Sequence, residues 1–320
     1  MKVSITVIFC SLLLHGVFAQ VEDVSFSSGD IVLSATLIRP KVMSPPAIVF
    51  VHGSGNSTRS DFKALAKSFQ KLGYAALIYD KRGCGESGGD PKSVSNFSFE
   101  TLAGDAISAV DYLHQRGEFS KIGLYAASQG GWVAPLAASK TEKIRFLVIQ
   151  SGSVATVGED NIFERSARLA YEGFSTAEVA EAREMHITDN EFTRNPLAQE
   201  SFKALWEKYK NTKWFSRVYA GEGMLSQDNP YRLWYRTVVD FDPVPLWRQL
   251  SLPVLWLYGE ASLDRFCPVE QSMVVINNLK AEGKDYEVRI HPGGDHNLLV
   301  GKKQAPIAEE FHAWYQRRGM

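Results

Sequence analysis

Cysteine is scarce: Cys10, Cys84 and Cys267 are all there is in 320 residues. There is no HExxH and no cysteine pair at ligand spacing, and the histidines in helix-like segments, His114, His186 and His312, show no metal-ligand pattern. No metal centre is therefore expected. Charge of one sign is lacking too. With 35 Lys+Arg against 36 Asp+Glu the formal net charge is −1, so nothing electrostatic calls for a nucleic-acid partner, and no Lys/Arg block marks a membrane surface. Internal repeats and low-complexity tracts are absent.

The N-terminus, MKVSITVIFCSLLLHGVFAQ, has one basic residue, an apolar stretch from Val7 to Leu14, and short residues at Val17 and Ala19. It reads as a signal peptide over 1–19, cleaved near Ala19/Gln20. As a membrane anchor the stretch is short and is broken at His15–Gly16. The mature chain is thus expected to be secreted or periplasmic, without stable membrane insertion, and to carry 34 basic against 36 acidic residues once Lys2 is gone.

Short apolar runs bounded by turn signals recur at 31–38, 47–51, 75–79, 122–126, 146–149, 254–258 and 286–290. Most are nearly continuous in Val, Ile and Leu, as strands covered on both faces are; the first and last mix in polar residues, as strands nearer an edge do. Helix-period segments alternate with them. SDFKALAKSFQKL, capped by Ser60 or Asp61, aligns Phe62, Leu65, Phe69 and Leu72, and SFETLAGDAISAVDYLHQ aligns Leu102, Ile107, Val110 and Leu113. The alternation predicts an α/β fold, an open and mostly parallel sheet with helices on both faces, whose sites lie at the carboxyl ends of the strands. From 154 to 241 strand signals vanish and polar helices take over, with a capping box at Ser175 and Glu178 and many large aromatics, Trp206 to Tyr235. We expect a helical cap at 154–241 inserted into a core formed by 20–153 and 242–320. The competing reading is a helical elaboration whose aromatics are all core.

In LYAASQGGW a lone hydroxyl, Ser128, separates a buried strand from a helix, with Ala126 and Gly130 two residues to either side. Small residues at those flanks are what a tight strand-to-helix turn needs, because larger ones would strike the neighbouring strand and helix. The plainer role for Ser128 is a helix cap. A serine nucleophile needs a base and a group to orient that base. Asp264 lies in the loop after the 254–258 run and His296 in the Gly-rich loop after the 286–290 run. Parallel topology brings both to the sheet edge that holds Ser128, and the chain order is Ser, Asp, His.

The segments HGSG (52–55), YDKRGCGESGG (79–89), SQGG (128–131), DPVP (242–245), Asp264 with Pro268, and GGDHN (293–297) together make the chain resemble the α/β-hydrolases, in their esterase, dienelactone-hydrolase-like and serine-aminopeptidase-like branch. The match covers nearly all of the mature chain except the cap. The resemblance implies Ser128 as nucleophile, His296 as general base and Asp264 as orienting acid. It also implies an oxyanion hole from the backbone N–H groups of Ser54 and Gln129, and no cofactor. Asp264 stands five residues after Gly259, farther than the family's usual spacing, which leaves Glu260 as a rival; the spacing to Pro268 favours Asp264. His52 reads as structural, its imidazole bonding to loop backbone, and His291 is only a backup base.

GCGESG (83–88) matches the dinucleotide-binding glycine pattern, but a polar stretch follows it where a helix should open, so it is expected to be scaffold. The family's sheet order separates Cys84 from Cys267 by about four strand spacings of ~4.8 Å, so free thiols are expected. Asn56 and Asn96 begin glycosylation sequons. The reading points to a carboxylesterase acting on a small-molecule ester of small to medium acyl group. A peptidase or acyl transferase on the same triad, and a non-catalytic binding protein on the same scaffold, are the alternatives.

Overall fold

The computed structural model describes residues 20–90 and 98–320. The expected signal segment and the Asn96 sequon fall outside the described residues, wholly or in part. Eight strands form one sheet: β1 (Gln20–Ser28), β2 (Ile31–Arg39), β3 (Ala47–Val51), β4 (Ala75–Tyr79), β5 (Ile122–Ala127), β6 (Ile144–Gln150), β7 (Val254–Tyr258) and β8 (Tyr286–Ile290), in the order β1-β2-β4-β3-β5-β6-β7-β8. β1 and β2 run antiparallel to their neighbours, and the remaining pairs are parallel.

β3, β4 and β7 are buried along their whole length, which is why they read as unbroken apolar runs. β1 is the strand with no apolar signal; it pairs only with β2 and most of its residues face solvent. β1 is one edge of the sheet and the 31–38 run, as β2, lies next to it, near an edge as expected; β8, with a burial that fades toward Ile290, is the other edge.

Alternation along β3 sends Ala47, Val49 and Val51 to one face and Ile48 and Phe50 to the other. On the first face pack α2 (Phe99–Arg116), α3 (Gly130–Ala138), α9 (Val244–Gln249) and α10 (Val269–Ala281); on the second, α1 (Lys63–Lys71) and α11 (Ile307–Arg317). One turn of 3₁₀ helix, Arg59–Phe62, precedes α1, and its capping box uses Thr58 with Asp61 rather than Ser60. The free, buried Cys84 and Cys267 follow β4 and β7, strands with three others between them.

Between β6 and α9 lie α4 (Val157–Tyr171), α5 (Thr176–Arg194), α6 (Gln199–Tyr209), α7 (Phe215–Val218) and α8 (Pro230–Val238). The chain leaves and rejoins the core at one point, where the Val157 and Gly158 amides donate to the carbonyls of Phe241 and Val239 at 3.3 and 2.9 Å. Thr156 with Glu159 and Ser175 with Glu178 form capping boxes that start α4 and α5. The aromatics divide by location. Trp206, Tyr209, Trp214, Phe215 and Tyr219 build a separate core within these helices. Trp234 and Tyr235 instead reach the cavity described next.

Candidate active site

Ser128, with Gln129 the two-residue step between β5 and α3, has φ at 51°, a left-handed conformation that a residue with a β-carbon adopts only under constraint. The constraint is crowding. A methyl at Gly131 would lie 2.7 Å from Gly152 Cα, and one at Gly130 would lie 3.0 Å from Ala126 Cβ. The methyl of Ala126 is tolerated because its opposite number is glycine. The loop after β3 also comes close, since a β-carbon on Gly53 would sit 3.3 Å from Ser128 Cβ.

His296 and Asp264 meet: Nδ1 of the imidazole and Oδ1 of the carboxylate are 2.8 Å apart. The same Oδ1 accepts from the amides of Phe266 and Cys267, both at 3.0 Å, and the Asp264 side chain is fully buried. Glu260, the rival acid, turns elsewhere, accepting from the Ser262 hydroxyl and the Gly293 amide. Gly259 lets the acid's loop touch the histidine's loop, for a β-carbon there would lie 2.3 Å from the Asp295 carbonyl oxygen.

The end of β6 ties the serine and histidine segments together. The Gln150 carbonyl accepts from the Ser128 amide at 2.8 Å, and the Ser151 hydroxyl donates to the His296 carbonyl at 2.7 Å. Ser151 escaped the sequence reading; its only signal is its place just past a strand's carboxyl end.

Ser128, Ser54 and Gln129 line one cavity of about 180 Å³, walled by Phe99, Trp132, Trp234, Tyr235 and Phe266. Phe266 also packs on His296, with ring centroids 5.1 Å apart. A larger groove of about 650 Å³ lies between α1 and the start of α11, but none of Ser128, Asp264 and His296 lines it. From α4, Asp160, Asn161 and Glu164 face the cavity that Ser128 lines; Asp264 and His296 are not among its lining residues. Burial pushes the Asp160 carboxyl well above the ordinary carboxylate range; a hydrogen bond from Ser153 opposes this, and the charges of Glu164 and Asp264 reinforce it.

His52 departs from expectation. Neither ring nitrogen has a hydrogen-bond partner among the described residues, and the ring stacks on Tyr79 at 5.1 Å and 12°. Burial, with the nearby Lys81 charge adding to it, lowers its pKa to about 3, so it is a neutral aromatic filler. His291 lies 3.4 Å from Glu310 and takes no part in the pair with Asp264. The 83–88 loop is scaffold: the Asp80 carboxylate accepts from the amides of Arg59 and Glu86, and Arg82 pairs with Asp105.

The sequence model of the serine aminopeptidase family S33 matches residues 44–219. Among curated proteins, the quorum-quenching protein AidA of Acinetobacter baumannii is 29% identical over 131 residues, 40% of this chain and 42% of that one. The uncharacterised protein YcjY of Escherichia coli is 26% identical over 209 residues, 59% of this chain and 66% of that one. The chain thus spans less than half of the first of these relatives. Solved structures share the fold over almost the whole chain. An esterase from Pyrococcus furiosus superposes with a TM-score of 0.61 at 16% identity, covering 93% of this chain and 91% of its own. Est1E from Butyrivibrio proteoclasticus, solved with ferulic acid, gives 0.58 at 17%, covering 92% and 98%.

Proposed function

The chain belongs to the serine aminopeptidase family S33 of the α/β-hydrolase superfamily, and from that premise we propose that it is an exported serine carboxylesterase. The observation that carries the proposal is the 2.8 Å His296–Asp264 pair, set at the sheet edge where Ser128 is held in its left-handed turn. In this mechanism Ser128 Oγ bonds to the ester carbonyl carbon while its proton passes to His296. The Ser54 and Gln129 amides receive the developing oxyanion. Collapse breaks the bond to the alcohol, which leaves with the proton from His296. Water then attacks the acyl-enzyme by the same route in reverse and frees the acid and Ser128. Asp264, fixed by two backbone amides, holds the imidazole in the required tautomer and offsets the charge it gains.

A cavity of about 180 Å³ is smaller than the ~300–1,000 Å³ of most small-molecule sites and suits a short acyl group. A p-nitrophenyl ester series should therefore show its kcat/KM optimum at short chain length, with activity abolished in Ser128→Ala. A folded wild type inactive on every ester would refute the esterase reading.

Asp160 and Glu164, one helical turn apart in that cavity, favour a second reading, an aminopeptidase that places a substrate amine against them. Aminoacyl p-nitroanilides, tested beside the esters, separate the two. Export rests on residues 1–19 and is tested by N-terminal sequencing of the protein recovered outside the cytoplasm, where Gln20 is the expected first residue.

A further inference from the structure

Lys81 is buried, and no step of the mechanism above uses it. It follows Asp80 at the carboxyl end of β4, next in the sheet to β3, which in turn neighbours β5. From there its ammonium reaches the loops after both. Nζ donates to the Gly53 carbonyl at 2.8 Å, the Gly55 carbonyl at 3.2 Å and the Gln129 side-chain Oε1 at 2.9 Å. One cation thus binds the two segments whose amides, Ser54 and Gln129, form the oxyanion site in the reading above.

The geometry of the peptide unit turns that contact into function. The Gly53 carbonyl and the Ser54 N–H belong to one planar trans peptide and point in opposite directions. With the carbonyl drawn toward Lys81, the N–H is turned to the other side. Gly53 packs directly against Ser128, and Ser54 lines the same cavity as Ser128, so we infer that this other side is the reaction side. A carbonyl that accepts from a cation also polarises its own amide, which makes the N–H a stronger donor. The buried charge adds a positive potential behind the site where negative charge develops.

We propose that Lys81 is a positioning residue for the oxyanion site, its ammonium fixing the Gly53–Ser54 peptide plane and the Gln129 side chain so that transition-state charge is stabilised at Ser128. The proposal rests on the serine-hydrolase reading. Sequence reasoning missed it because a lone lysine beside an arginine in a polar loop ordinarily reads as solvated.

The test compares ground-state with transition-state binding. A short alkylboronic acid mimics the tetrahedral intermediate: Ser128 Oγ bonds to boron, its proton passes to His296, and the boronate carries the negative charge. Lys81→Met is expected to raise the boronate Ki and lower kcat in parallel, each by about 10- to 100-fold, with KM for p-nitrophenyl butyrate changed by less than about threefold. A merely structural lysine would alter stability or KM without this parallel. If Lys81→Met does not fold, Gln129→Leu, which removes one anchor of the ammonium and keeps the Gln129 amide, should move both constants the same way by about 3- to 10-fold. A folded variant with boronate affinity within about twofold of wild type overturns the proposal alone. A wild type that neither binds the boronate nor turns over any ester overturns the hydrolase reading, and the proposal with it.

Discussion

Ser128 at φ 51° carries strain of about 1–3 kcal/mol that glycine would not. Ser128→Gly should therefore raise the midpoint of chemical denaturation relative to Ser128→Ala, while both abolish ester turnover. Equal midpoints would mean the turn is relaxed. His52 offers a second test at this scale. Its folded pKa, about 3, lies below the unfolded value of 6.5, so between those limits the unfolded chain binds more protons and stability falls as pH falls. Relative to His52→Phe, the wild type should lose about 2 kcal/mol between pH 7 and pH 5, read from urea midpoints. At this scale the sequence displayed Ser128 and His296 through their glycine surroundings. It misjudged His52, because an imidazole beside a glycine loop looks like a hydrogen-bonding group until the stacking on Tyr79 is seen. Lys81 and Ser151 stayed hidden because their roles depend on which strands are neighbours.

At the scale of elements, the site is held by close backbone approaches at strand ends. Gly131 faces Gly152, and Ser151 beside it holds the His296 carbonyl. Gly131→Ala should push the end of β6 away, cost about 1–3 kcal/mol of stability and lower kcat more than it raises KM. A variant with wild-type stability and kcat would show that the crossing has slack. Buried parallel strands were legible because cover on both faces demands continuous apolar runs; β3, β4 and β7 have the bounds their runs predict, and β8, a mixed edge strand, has its predicted bounds as well. β1 was not legible, since an edge strand facing solvent needs no such run. The start of α1 was displaced from expectation because a 3₁₀ turn, Arg59–Phe62, comes first and takes its cap at Thr58, two residues before Ser60.

At the scale of the whole molecule, the helices between β6 and α9 divide into an aromatic core of their own and a wall for the cavity. Which aromatics do which was unreadable from a region whose periodicity is only helical, since partition depends on how α5 packs against α4 and α8. Trp234, Asn161 and Glu164 line both the 180 Å³ cavity and an outer cleft of about 320 Å³ that contains Arg165 and Arg168. Trp234 stands between the two spaces. Trp234→Ala should join them and shift the kcat/KM optimum of the ester series toward longer acyl chains; an unchanged optimum would place the acyl group elsewhere.

The central claim is that Ser128 is a nucleophile activated by His296. The most direct test is a fluorophosphonate reaction with the intact protein followed by peptide mapping. The account predicts one phosphonylated residue, Ser128, with labelling abolished in Ser128→Ala and slowed by about 10³-fold or more in His296→Ala. A folded protein that stays unlabelled, or one labelled at another serine, would contradict it.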